Sequence, residues 1–171
     1  MFFYVSMLGI KISLSRKVPE FTNSKFPKYF ALDKIKALKW GRPTRAGETD
    51  VKEEDIVNLF EYLKVENSNF FIFPNFTLFY GLLNVPSPQP LLWFHKGLTY
   101  HVLYNANLDK WVVDDLKKNM VKIIILEDKP AYNYYILNDF PQVKSYINDN
   151  FVKTKQLGIF NIYEKTNPRI L

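Results

Sequence analysis

Apolar positions at helical spacing begin the best-defined part of the chain. Between residues 53 and 63 they recur three or four positions apart, which predicts an amphipathic helix with Asp50 as its N-cap and Glu53 completing a capping box. The apolar residues of this helix are Ile56, Leu59, Phe60 and Leu63. Further helices are predicted over 76–83, after an N-cap at Asn107, and from Pro141 onward.

Continuous apolar runs predict strands that are covered on both faces. The runs Phe70–Phe73 and Val121–Leu126 are typical of central strands between two layers of helices. Gly158–Tyr163 predicts a closing strand, and the alternation of Lys with apolar residues over 33–40 predicts a half-exposed edge strand. Helices and strands alternating in this way predict an α/β fold, a three-layer sandwich with a mixed, mostly parallel sheet flanked by helices.

The length of 171 residues fits one ordinary domain. We assign residues 29–171 to a single α/β domain and residues 1–28 to an N-terminal segment. The first ten residues are apolar, which is about half of what a bilayer-spanning helix needs. This run is either a buried strand or the remnant of a membrane helix, and the chain as it stands is expected to be soluble.

Composition excludes several classes of function. The net charge is +6, but the basic residues are dispersed and no run of five occurs, so we expect no nucleic-acid partner. The chain has no Cys, and its two histidines, His95 and His101, do not have the spacing of a helical metal-binding pair. We therefore expect no metal and no other cofactor.

No motif in the chain carries chemistry by itself. The six glycines form no phosphate-binding loop, and a nucleophile elbow is missing, so we name no catalytic residue and leave open whether the chain belongs to an enzyme. Glu127 and Asp128 follow the clearest strand, at the end of a strand where α/β folds place ligands. They are either ligand-binding residues or the polar start of a loop.

The most unusual feature is the segment Pro86–Tyr100, which has three prolines within its first five residues. It carries four candidate binding residues, Trp93, Phe94, His95 and Tyr100. One interpretation is a rigid loop that inserts its rings into the core. The other is a binding rim that contacts a glycan, a lipid head group or another domain through stacking and polar ring edges.

Several segments, taken in order, resemble the extracytoplasmic C-terminal region of multi-spanning glycosyltransferases that use lipid-phosphate sugars, such as protein O-mannosyltransferases and aminoarabinose transferases. The similarity covers roughly residues 29 to 165. The segments that carry it are Tyr29–Trp40, Glu53–Leu63, Phe71–Tyr80, Pro86–Tyr100, Val121–Glu127, Pro141–Phe151 and Gly158–Glu164.

The resemblance implies an accessory, non-catalytic domain on the extracytoplasmic face of a membrane, which assists donor or acceptor recognition or stability. The implied partners are the membrane portion of a parent protein and a glycan or lipid-linked sugar. No catalytic residue transfers, because in such enzymes the catalytic acids lie in the membrane portion. The alternatives are a stand-alone α/β module that binds a small ligand or a protein, and a nucleotide-binding enzyme, which the missing phosphate loop disfavours.

Overall fold

The computed structural model describes residues 28–29, 31–36, 39–40, 51–91, 93–101, 106–128 and 135–166. The chain divides into two compact units, Met1–Thr44 and Arg45–Leu171. The apolar run at residues 1–10 and the proposed cap Asp50 lie outside the described residues.

The described part of the first unit is a small antiparallel pair. Strand β1 (Lys28–Tyr29) pairs with β2 (Lys39–Trp40). Between them Asp33–Ile35 is a 3₁₀ helix, closed by the Ile35 N–H donating to the carbonyl of Leu32 at 3.0 Å. The predicted strand over 33–40 is therefore wrong in its first half, because a local turn takes the backbone hydrogen bonds that a strand would need.

The second unit contains the predicted helices and strands and one further strand, β5, which the sequence did not predict. Its elements are α1 (Glu53–Glu66), β3 (Phe70–Phe73), α2 (Leu78–Leu83), α3 (Ala106–Lys118), β4 (Ile123–Glu127), a 3₁₀ helix at Ile136–Asp139, α4 (Pro141–Asn150), β5 (Phe151–Leu157) and β6 (Phe160–Lys165). Helix α1 begins after Lys52, whose N–H donates to the Asp55 carboxylate at 3.1 Å. Helix α3 begins at Ala106, so the predicted cap Asn107 lies inside it.

The sheet of the second unit has the order β3-β4-β6-β5. The α/β class and a mixed sheet with helices around it are confirmed. The prediction of a mostly parallel sheet is wrong, because β3 and β4 are parallel while β4–β6 and β5–β6 are antiparallel. The reason is strand β5, which follows α4 directly and turns back into β6 through Gly158.

Both faces of the inner part of the sheet, formed by β3, β4 and the start of β6, are buried under helices. One face presents a row of three fully buried isoleucines, Ile72, Ile125 and Ile162, which are paired across β3, β4 and β6. On this face α2 contributes Phe79, whose ring packs edge-on against Phe160 with centroids 6.1 Å apart. The opposite face packs against α3 and α4 in one core cluster, in which the main contributors are Phe71, Phe73, Ile124, Val112, Leu116, Val143 and Ile147.

Strand β3 lies at the edge of the described sheet, although its four residues are buried. The prediction that Phe70–Phe73 is a central strand is therefore wrong, whereas β4 is interior. The edge is closed by a side chain: the Tyr80 hydroxyl accepts the Ile72 N–H at 3.1 Å and donates to Gln89 Oε1 at 3.1 Å. A buried edge is possible because this hydroxyl satisfies the backbone group that a neighbouring strand would otherwise bind.

Replacing Tyr80 by Phe should lower the free energy of unfolding by roughly 1–3 kcal/mol, because the Ile72 N–H and the Gln89 amide both lose the hydroxyl in a dry environment. Tyr62→Phe is the matched control, since the Tyr62 hydroxyl binds Glu164 at a partly exposed position where water can replace it. Urea denaturation measures both. Equal, small losses would contradict the role of Tyr80.

An aspartate on α3 caps the neighbouring helix α4. Pro141 has no N–H, so the first two backbone donors of α4 are those of Gln142 and Val143. Both donate to the Asp109 carboxylate, at 2.9 and 3.0 Å. Asp109 is 2% exposed, so a buried carboxylate joins the two helices at the positive end of the α4 dipole.

Candidate functional site

The carboxyl ends of the two parallel strands meet at one edge of the sheet. Because Phe73 is paired with Leu126, the residues that follow each strand leave the sheet side by side. The segment that carries the four candidate aromatic residues reaches the same edge, since the Phe94 N–H donates to the Pro74 carbonyl at 3.1 Å. We call residues 74–75, 93–101 and 127–128 the carboxyl edge. It contains all six candidate residues.

Two of the four predicted aromatic residues are part of the core. Phe94 is fully buried, and its ring lies 4.6 Å from that of Phe73 and 5.3 Å from that of Phe140, measured between centroids. Tyr100 is 7% exposed, and its hydroxyl donates to Asp139 at 2.9 Å. These two rings anchor the loop at both ends, in agreement with the first interpretation of this segment.

The other two aromatic residues form an accessible pair. Trp93 is 45% exposed and His95 is partly exposed, and their ring centroids lie 5.6 Å apart with a tilt of 58°. His95 Nδ1 lies 2.9 Å from the carbonyl of Lys96, which can only accept, so Nδ1 carries the proton. In the neutral ring Nε2 is then an acceptor for a ligand hydroxyl.

The turn that follows the pair is held by short hydrogen bonds. The His95 N–H donates to Thr99 Oγ1 at 2.8 Å, and the Thr99 N–H returns to the His95 carbonyl at 2.9 Å. Gly97 has φ +83°, a conformation that other residues rarely adopt. Trp93 and His95 therefore stand on a preorganised support, and little conformational entropy is lost when they bind a ligand.

Glu127 and Asp128 turn to opposite sides of the sheet, as successive residues of a strand do. Asp128 is exposed, and its carboxylate accepts from Asn161 Nδ2 at 2.9 Å and from Gln156 Nε2 at 3.3 Å. These bonds tie the end of β4 to the β5–β6 hairpin. Asp128 thus has a structural role that is sufficient to explain its position.

Glu127 is the unusual ionisable group of the carboxyl edge. It lies opposite Phe160, and its Oε1 is buried with no hydrogen-bond partner among the described residues. Burial raises the pKa of Glu127 from 4.5 to about 7. A hydrogen bond from the Asn75 backbone lowers this pKa, but its effect is smaller than that of burial. With this pKa the carboxyl group is protonated in mildly acidic solution and about half protonated near pH 7.

Several residues that organise this edge carry no sequence signal. Asn161 and Asp139 serve as partners of residues far away in the chain, which no periodicity or motif reveals. Within the described ranges no three His, Asp or Glu side chains are grouped closely enough to hold a metal ion. None of the described helices has both the length and the apolar composition needed to cross a bilayer.

Comparison of the chain with family models, with curated proteins and with solved structures gives no match. The resemblance to glycosyltransferase tail domains therefore stays a prediction, and function has to be argued from the carboxyl edge itself.

Proposed function

We propose that this chain is an accessory, non-catalytic domain of a membrane glycosyltransferase-like protein, which contacts the sugar of a donor or acceptor through Trp93 and His95. The observation that carries the proposal is the exposed indole at 45% beside His95, on a loop that Phe94 and Tyr100 anchor in the core.

The chemistry of the pair suits a sugar ring. The apolar C–H face of a pyranose packs on an indole, whose π-face is weakly negative. A hydroxyl at the ring edge can donate to His95 Nε2, since Nδ1 is already engaged by the Lys96 carbonyl. The centroids of the two rings lie 5.6 Å apart, which is about the span of one pyranose, so a single sugar ring can reach both side chains.

Titration with mannotriose and with chitotriose, followed by NMR of the indole N–H signals of the three tryptophans, tests the proposal. We expect one of the two to shift the Trp93 indole signal together with the backbone amide signals of His95 and Gly97. Trp93→Ala, followed by those two backbone amides, should weaken that binding about tenfold. Trp111→Ala is the matched control, because Trp111 is 56% exposed but lies on α3 and is not one of the residues of the carboxyl edge. An unshifted Trp93 signal, or equal losses in the two variants, would contradict sugar recognition here.

A second candidate, a protein-interaction module, is favoured by Leu98. This side chain is 69% exposed in the same loop, where an apolar contact suits a protein partner better than a hydroxylated ligand. Leu98→Ser separates the two functions: it should leave oligosaccharide binding unchanged, whereas it would abolish docking of a protein segment. Loss of oligosaccharide binding in Leu98→Ser would count against the assignment to Trp93 and His95.

A further inference from the structure

The opposite end of the sheet, where β3 begins, contains a pocket of about 270 Å³. The C-terminal ends of α1, α2 and α3 all contribute to it, through Asn67, Leu83 and Asn119 respectively. Its volume is slightly below the range of about 300–1,000 Å³ that holds drug-sized ligands, which suits one small ring. None of the residues of the carboxyl edge lines this pocket.

The polar wall of the pocket is made of neutral groups. Asn69 Nδ2 donates to the Asn119 carbonyl at 2.7 Å, and Asn119 Nδ2 donates to the Asp115 carbonyl at 2.8 Å. Both side chains are thereby fixed, while their Oδ1 atoms accept no hydrogen bond from the described residues. Helix C-termini also present carbonyl oxygens with partial negative charge, so this wall prefers ligands that donate hydrogen bonds.

The residues that line the pocket do not favour a charged ligand. Among the described residues that line the pocket, Lys64 alone is ionisable, and its ammonium group lies 5.9 Å from the centre of the Phe60 ring. No carboxylate among these lining residues would balance a cation, and one exposed lysine is a weak site for an anion. A neutral ligand is therefore favoured.

The floor of the pocket is apolar. Leu63 and Phe70, which are 3% and 4% exposed, line it together with Pro88 of the proline segment. At the rim, Asn67 has a left-handed conformation with φ 45°, and Pro88 precedes Gln89, whose amide oxygen accepts from the Tyr80 hydroxyl. A ligand with hydroxyl groups on its edge and a C–H face below would match both surfaces.

We propose that this pocket binds one neutral sugar ring. The site goes beyond the function proposed for Trp93 and His95, because it uses different residues at the other end of the sheet. An affinity in the millimolar range is expected, since a hexose has only about 12 non-hydrogen atoms.

Titration of the ¹⁵N-labelled chain with mannose, galactose and N-acetylglucosamine, each up to about 50 mM, tests the proposal. We expect saturable shifts of the backbone amides of Ser68, Asn69 and Asn119 with at least one of them. Val85→Trp, which fills the rim, should abolish these shifts, whereas Val65→Trp, on the same end of the fold but outside the pocket, should not.

Asn67→Gly removes one of the three asparagine amides that line the pocket, while glycine keeps the left-handed conformation. The fold is therefore preserved, and binding should weaken about fivefold or more. Trp93→Ala should leave the sugar-induced shifts of the Ser68, Asn69 and Asn119 amides unchanged. The proposals for this pocket and for the carboxyl edge can therefore be refuted independently. The proposal is overturned if none of the three sugars shifts these amides, or if Val65→Trp and Val85→Trp have the same effect.

Discussion

Replacing Asp109 by Ala should lower the free energy of unfolding by roughly 2–4 kcal/mol. The Asp109 carboxylate accepts the N–H groups of Gln142 and Val143, and the Val143 contact lies in the dry interior between α3 and α4. Alanine leaves both helix-end donors without the carboxylate. Water can replace it at the part-buried Gln142 N–H, but it can reach the buried Val143 N–H only if the packing of the two helices opens. Chemical denaturation, with the same m-value for both proteins, measures the loss.

Asp114→Ala is the control for this substitution. Asp114 is exposed on the same helix, so its replacement removes the same charge without touching α4 and should change stability by about 0.5 kcal/mol at most. The loss of stability in Asp109→Asn should lie between the losses in Asp109→Ala and Asp114→Ala, because the single carbonyl oxygen of asparagine can accept one of the two N–H groups. If Asp109→Ala and Asp114→Ala unfold at the same denaturant concentration, the capping role is wrong.

Replacing Glu127 by Gln should remove a pH dependence of stability that the parent shows between pH 4.5 and about 7. The folded state raises the pKa of this carboxyl group, so folding favours its protonated form. The resulting stabilisation is fully present below pH 4.5. It is lost as the pH rises through the pKa that Glu127 has in the folded state. Because a tenfold change in proton affinity corresponds to about 1.4 kcal/mol, the parent loses about 3 kcal/mol across this window.

Gln is a neutral isostere of the protonated carboxyl group, and its carbonyl oxygen keeps the hydrogen bond from the Asn75 backbone. The variant should therefore match the parent near pH 4.5 and exceed its stability at about pH 8. Asp114→Asn removes an exposed carboxylate instead and should keep the parental slope. Thermal or urea unfolding at a series of pH values measures how the free energy of unfolding changes with pH. If this change is the same in the unmodified protein and in Glu127→Gln, the burial of a protonated Glu127 is refuted.

The elements with strong local patterns could be predicted from the sequence. Phe70–Phe73 is a strand with the predicted bounds, and α4 begins at the predicted Pro141. Burial on both faces of β3 also follows from its continuous apolar run. The position of β3 at the edge of the sheet does not follow from this run. It depends on the Tyr80 hydroxyl, which a helix later in the chain brings to the Ile72 N–H.

Strand β5 has no counterpart in the sequence prediction, because its pattern is that of an exposed edge. Of the residues Phe151–Leu157 only Phe151 is buried, and Lys153 and Lys155 face solvent. Such a strand buries too little to show an apolar period, and it exists because β6 provides its backbone partners. This hairpin is also what makes the sheet largely antiparallel.

The candidate site shows the same division. From the sequence alone one could predict that two acidic residues follow a strand and that an aromatic, proline-rich loop is a candidate binding segment, and all six candidate residues could be named. Tertiary packing is what buries Phe94 and Tyr100 and leaves Trp93 and His95 accessible. It also buries Oε1 of Glu127 and brings Asp128 to Asn161. Periodicity reports how much of an element is covered, whereas the partner of each polar side chain depends on residues that only folding brings within reach.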